Sequence, residues 1–176
     1  MTIRTTRIPG MLVIEPSVAT DERGTFAELY QMRELQRHGW QGGFVRTAMS
    51  QNRRRATLRG LHFQRPPFAD AKLVTCVRGA MFDVVADVRP DSPAFGTWEA
   101  VELTEENRVC VFLPEGVAHG FQTLVDDTTM LYHIGAYYAP ASAGGVCWDD
   151  PTLAIAWPLP PSVLSEQDRT WGPLQR

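Results

Sequence analysis

The chain has 176 residues, 44% of them hydrophobic and 21% charged, with a formal net charge of −3. Those values suit a single globular domain, residues 1–176, long enough to bury a core without disulfide or metal staples. They argue against a general nucleic-acid binder, which needs a basic surface. No apolar stretch reaches bilayer length and the N-terminus has no apolar signal core, so a cytoplasmic protein away from membranes is expected.

Residues 8–16, Ile-Pro-Gly-Met-Leu-Val-Ile-Glu-Pro, read as a short apolar strand bracketed by prolines and suited to a sheet edge. Asp21-Glu22-Arg23-Gly24 is a turn, Thr25 to Tyr30 a short extended segment, and Met32 to His38 a helix that Gly39 ends. Arg53-Arg54-Arg55 reads as a solvated loop, or else as a positive rim for an anionic ligand. From Lys72 the pattern is β. Lys72–Arg78 is a strand, Gly79-Ala80 a tight turn, and Met81–Val88 a second strand. A two-residue turn there sets Lys72 opposite Asp87, on the face that carries Cys76 and Asp83. Trp98–Leu103, Arg108–Leu113, Gly120–Val125 and Met130–Tyr137 are further strands. Short strands at nearly even spacing predict a sandwich or jelly roll. Residues 157–161 are proline-rich and irregular, and Ser162–Arg169 forms a short helix. Cys76, Cys110 and Cys147 make no CxxC pair, and the first two sit in apolar runs as core residues.

The chemistry concentrates in Leu58-Arg59-Gly60-Leu61-His62-Phe63-Gln64 and in Lys72. A histidine beside a strand is, taken alone, an ordinary structural residue. Here it shares an apolar neighbourhood with an arginine and a lysine, as in a small-molecule site. Pro114-Glu115-Gly116-Val117-Ala118-His119 has the shape of the second half of a cupin metal signature. The first half offers only His62 and Gln64, followed by Lys72, and an ammonium repels a cation. The expectation is a mainly β, cupin-like jelly-roll barrel with a few short peripheral helices, without metal or other cofactor.

Further segments occur in a fixed order. They are Phe82-Asp83-Val84, Ser92-Pro93-Ala94-Phe95-Gly96-Thr97-Trp98, Tyr132, Tyr137-Tyr138-Ala139-Pro140 and Trp148-Asp149-Asp150-Pro151. With the two motifs above, they make the chain resemble the dTDP-4-dehydrorhamnose 3,5-epimerase family from about Asp21 to Asp168. The resemblance implies a nucleoside-diphosphate 4-keto-6-deoxyhexose as substrate, inverted at C3, C5 or both through an enolate. It implies His62 as base, oriented by Asp168, with Lys72 stabilising the enolate and Tyr132 as acid. Imidazole titrates near neutral pH, and a carboxylate partner fixes its tautomer. Arg59 matches a phosphate-contacting arginine, and His119 and Tyr138 match sugar-pocket residues. Arg23, Phe26 and Glu28 match positions that contact base and diphosphate, often from the partner subunit of a homodimer.

Three positions depart from the family. Thr47-Ala48-Met49-Ser50-Gln51-Asn52 stands where a Gln-x-Asn stretch is usual, Gln167 where lysine is common, and Trp148 where a basic residue is common. An intact catalytic set in an altered pocket fits a relative acting on a different keto-deoxysugar, or at one carbon. Two other readings stay open, a sugar-nucleotide 3,4-ketoisomerase of similar fold and a non-catalytic sugar-binding cupin.

Overall fold

The computed structural model describes residues 1–175, and its strands are numbered in chain order. One antiparallel sheet holds six strands, in the order β1 (Thr2–Thr5), β2 (Leu12–Glu15), β10 (Cys110–Leu113), β7 (Lys72–Arg78), β12 (Thr128–Ile134) and β5 (Arg46–Asn52). A second holds five, in the order β13 (Ala143–Gly145), β6 (Leu58–Gln64), β11 (Ala118–Thr123), β8 (Ala80–Ala86) and β9 (Trp98–Thr104). A separate hairpin pairs β3 (Val18–Asp21) with β4 (Gly24–Ala27). Helices α1 (Met32–Arg37) and α2 (Glu166–Thr170) are short. The mainly β jelly roll expected from the sequence is the fold observed.

The sheets face each other across one apolar cluster. Val13, Val74, Cys76, Val111 and Met130 come from the six-stranded sheet, and Met81, Val85, Leu103 and Phe121 from the other. Both outer faces are covered too. Leu35 of α1, Trp40 and Phe44 pack on Leu12, Ile14, Leu73 and Phe112. Leu153, Ile155, Trp157 and Leu174 pack on Leu61, Val84, Ala86 and Ala118. Burial on two faces explains why β10 and β11 carry no polar–apolar alternation of exposure.

The expected hairpin between Lys72–Arg78 and Met81–Val88 does not form. Strand β7 pairs with β10 and β12, whereas β8 pairs with β11 and β9. Gly79 carries the chain from one sheet to the other at φ +76°, so close to Thr128 that a Cβ would meet its Oγ1 at 2.7 Å. Lys72 therefore opposes Leu113 and Ile134 rather than Asp87, which is held by Arg89 and Ser92. Strand β2 lies between β1 and β10 instead of at an edge.

Candidate active site

Strand alternation decides what faces the interior. On β12, Met130, Tyr132 and Ile134 point inward, and their cross-strand partners on β5 are Ser50, Ala48 and Arg46. On β7 the inward row is Cys76, Val74 and Lys72. Along both central strands the packed core thus gives way to a cavity at the Lys72 and Ile134 end. The cavity measures about 280 Å³, near the lower end for small-ligand sites.

The opposite wall depends on a bulge in β6. His119 of β11 faces His62, but Phe121 faces Arg59, so three steps of β6 span two of β11. Regular alternation would put Arg59 and His62 on opposite faces, and the bulge turns both toward the interior. Gly60 allows it at φ +131°, where a Cβ would stand 2.5 Å from the Gly120 Cα. Leu61 points the other way into the outer cluster.

The His62 ring lines the cavity, and its Nε2 donates to Asp168 Oδ1. A carboxylate only accepts, so the base lone pair is left on Nδ1. The His62 side chain is 42% exposed while that of Asp168 is 4% exposed. Burial raises the Asp168 carboxyl, but the hydrogen bond and charge of His62, helped by Ser165 and the Gly60 amide, outweigh it and hold it below its ordinary value. Ser165 also caps α2, its Oγ accepting from the Asp168 amide at 3.1 Å. Trp171, just past α2, stands edge-on to His62 and against Gly145, whose Cβ position lies 2.4 Å from the indole.

Lys72 faces this pair from the other sheet. Burial lowers its pKa, opposed by Asp70, whose Oδ2 lies 3.6 Å from Nζ. Tyr132 is held protonated, with its pKa raised first by burial and then by the charge of Asp83; Arg59 and Ser50 oppose the rise. Asp83 in turn bonds His119, Oδ1 to Nε2 at 2.7 Å, in a fully interior pair.

The structure therefore brings His62, Asp168, Lys72, Tyr132 and Tyr138 to one place. Gln64 fixes the mouth. It donates to the Phe68 and Tyr137 carbonyls and accepts from the Ala139 amide at 2.7 Å, setting the segment that carries Tyr138. Arg59 and His119 do not line the cavity: Arg59 is exposed and bonded to Asn52 Oδ1 at 2.8 Å, and His119 sits behind Tyr132 with their rings edge to face. Arg23, Phe26 and Glu28 are not part of this cavity. They lie on or beside the exposed β3–β4 hairpin, where Arg23 pairs with Asp21 and Glu28 with Gln31. Sequence reasoning missed Arg46, Asp70 and Trp171 on the cavity wall and gave Asp83 no role. Asp70, two residues before Lys72, was the most readable of these.

A family profile described as dTDP-4-dehydrorhamnose 3,5-epimerase matches residues 5–176. The dTDP-4-dehydrorhamnose 3,5-epimerase of Methanothermobacter thermautotrophicus is 43% identical over 173 residues, 97% of this chain and 92% of its own. A 4-keto-6-deoxy sugar epimerase from the novobiocin gene cluster of Streptomyces spheroides superposes with TM-score 0.94 at 39% identity, over 99% of this chain and 87% of that one. A 3'-monoepimerase from Streptomyces bikiniensis, solved with dTDP-quinovose, superposes with TM-score 0.88 at 36% identity, over 96% and 86%.

Proposed function

The chain belongs to the dTDP-4-dehydrorhamnose 3,5-epimerase family, and we infer from its cavity how its residues divide the work. It is an isomerase that epimerises a dTDP-linked 4-keto-6-deoxyhexose. The observation that carries the division is that a base from one sheet meets a cation and a phenol from the other in one cavity.

His62 Nδ1 takes a proton from a carbon flanking the ketone, and Asp168 supports the imidazolium that forms. The electron pair moves onto the C4 oxygen, where the largely buried Lys72 ammonium meets it. Tyr132 returns a proton to the opposite face of the enolate carbon, and the charge of Arg59 offsets the tyrosinate left behind. The tyrosinate recovers its proton from solvent and His62 gives up its own, so protons balance over the cycle. Arg59 holds the diphosphate as a fork, Tyr138 lines the mouth, and His119 backs the sugar pocket. No step calls on a metal or redox group.

Residues 1–176 are read as one domain, because inner side chains of both sheets share one cluster. The active form is read as a homodimer. Every residue of β3 is exposed, as are all of β4 except Ala27, and Phe26 is 74% exposed. A lone two-stranded hairpin is marginal in water, so a partner surface stabilises it. The hairpin would then bring Arg23, Phe26 and Glu28 to the other copy's site across a two-fold. Phe26→Asp is expected to shift sedimentation toward monomer and lower activity; a fully active wild-type monomer contradicts the arrangement.

The likeness to a monoepimerase favours a second reading, inversion at one carbon only. Proton NMR in deuterated water with dTDP-4-keto-6-deoxyglucose separates the cases. Deuterium at C3 and C5 with inversion fits the double epimerase, and at one carbon the single. Carbonyl migration would mark a ketoisomerase, and no change a binder. A cytoplasmic location fits the family; among the described residues no helix is long and apolar enough to cross a membrane.

A further inference from the structure

We propose that Arg46 is a specificity-determining residue that binds the C3 hydroxyl of the sugar, the oxygen next to the ketone; this rests on the epimerase reading above. The position follows from the register. Ile134 pairs with Arg46 on one side and with Lys72 on the other. The two cations therefore flank Ile134 on the same inward face, with backbones roughly 10 Å apart. Both line the cavity.

Their circumstances differ. Lys72 has Asp70 beside it at 3.6 Å. Arg46 has no carboxylate partner among the described residues, and its one side-chain hydrogen bond there runs from Nε to the Ala136 carbonyl at 2.9 Å. That bond pins the plane of the guanidinium. The two terminal nitrogens keep their donors for a ligand. The next inward residue of β5 is Ala48, which also lines the cavity and takes little of the space beside Tyr132.

The chemistry of the substrate selects the group. With Lys72 on the C4 oxygen, a second donor on the same wall reaches a neighbouring carbon. C5 carries a methyl group and the ring oxygen, a weak acceptor. C3 carries a hydroxyl, and the fork fits two adjacent oxygens better than one. The diphosphate has its own arginine at the far end of β5, where Arg59 is tied to Asn52. Arg46 thus gives this chain a reason to prefer sugars that keep the 3-hydroxyl.

The test compares wild type, Arg46→Met and Arg46→Lys on dTDP-4-keto-6-deoxyglucose and on its 3-deoxy analogue, reading deuterium exchange at C3 and C5. Exchange at either carbon needs the base and the enolate stabiliser but not the 3-hydroxyl. Arg46→Met is expected to lower kcat/KM roughly 10- to 100-fold on the hydroxylated sugar, mainly through KM, as befits loss of a charged hydrogen bond. On the analogue the wild-type advantage should nearly vanish. Arg46→Lys keeps the charge without the fork and should fall between; it carries the test if the methionine variant unfolds. Equal losses on both sugars, or no loss on either, would overturn the assignment while leaving the epimerase reading intact. Absence of exchange by wild type at both C3 and C5 on both sugars would overturn the two together.

Discussion

Two histidine–aspartate pairs stand side by side in this barrel. His62 and His119 are direct cross-strand neighbours, and each gives its Nε2 to an aspartate, Asp168 and Asp83. The residue types are the same and the settings are opposite. His62 is 42% exposed at the cavity, while His119 is 6% exposed and the Asp83 side chain is fully buried. Asp168 arrives on a short C-terminal helix, outside both sheets, whereas Asp83 sits inside β8. On the division of roles proposed above, the same pair of groups serves as a proton-transfer device where substrate can reach it and as an interior brace where it cannot. Asp83 Oδ2 is buried without a partner among the described residues, and its charge bears on Tyr132 and Lys72. The brace thus also sets the electrostatics of the site.

The widest separation of the two pairs comes from deleting each histidine. His62→Ala is expected to lower turnover by about 10²–10⁴-fold, the usual worth of a general base. Its unfolding midpoint should barely move, because Asp168 keeps Ser165 and the Gly60 amide. His119→Ala should show its larger effect in thermal unfolding. It strips a buried carboxylate of its histidine, and breaking such a pair costs about 3–5 kcal/mol. A His119→Ala protein as stable as wild type would erase the distinction.

A finer test uses pH. Burial lowers the Lys72 pKa, and Tyr132 is raised, so the phenol stays protonated throughout. The basic limb of kcat/KM then belongs to Lys72 losing its proton, and it should lie below the ordinary lysine value. Lys72→Arg should move that limb to higher pH while slowing the reaction by about 10²–10³-fold at most. A limb that stays in place would assign it to another group. The acid side gives the smallest effect. The depressed carboxyl of Asp168 adds stability that is complete above the ordinary carboxylate value and is lost as pH falls through its own lower one. Asp168→Asn should therefore flatten the stability profile only at the acid end, as read by unfolding midpoints across pH.

How readable the molecule was from its sequence follows the same contrast. Strand β7 was legible residue for residue, and β8 to β11 to within two residues at each end, because apolar runs bounded by glycine, proline or acidic turns are unambiguous. Strand β5 was not, since Arg46 to Asn52 alternates an inward row of Arg46, Ala48, Ser50 and Asn52 with an exposed outer one and lacks a run of large apolar residues to announce it. That blind spot hid Arg46. The bulge at Gly60 was also invisible, although it is what turns Arg59 and His62 to the same side. Lys72 was singled out by its place after the His62 motif, whereas Tyr132 and Asp168 were named through resemblance; nothing in the spacing of residues 62 and 168 foretells their contact. The hairpin expected at Gly79 failed because a tight turn and a corner between sheets use the same glycine.

The central claim is that His62 and Tyr132 act on opposite faces of one enolate. It is tested most directly by Tyr132→Phe in deuterated water, following solvent exchange and product by proton NMR. The base and the Lys72 ammonium remain in this variant. Deuterium should wash into the substrate with retention, faster than any epimer appears. Normal epimerisation by Tyr132→Phe would contradict the account, and so would a complete absence of exchange, which would place the tyrosine ahead of proton abstraction.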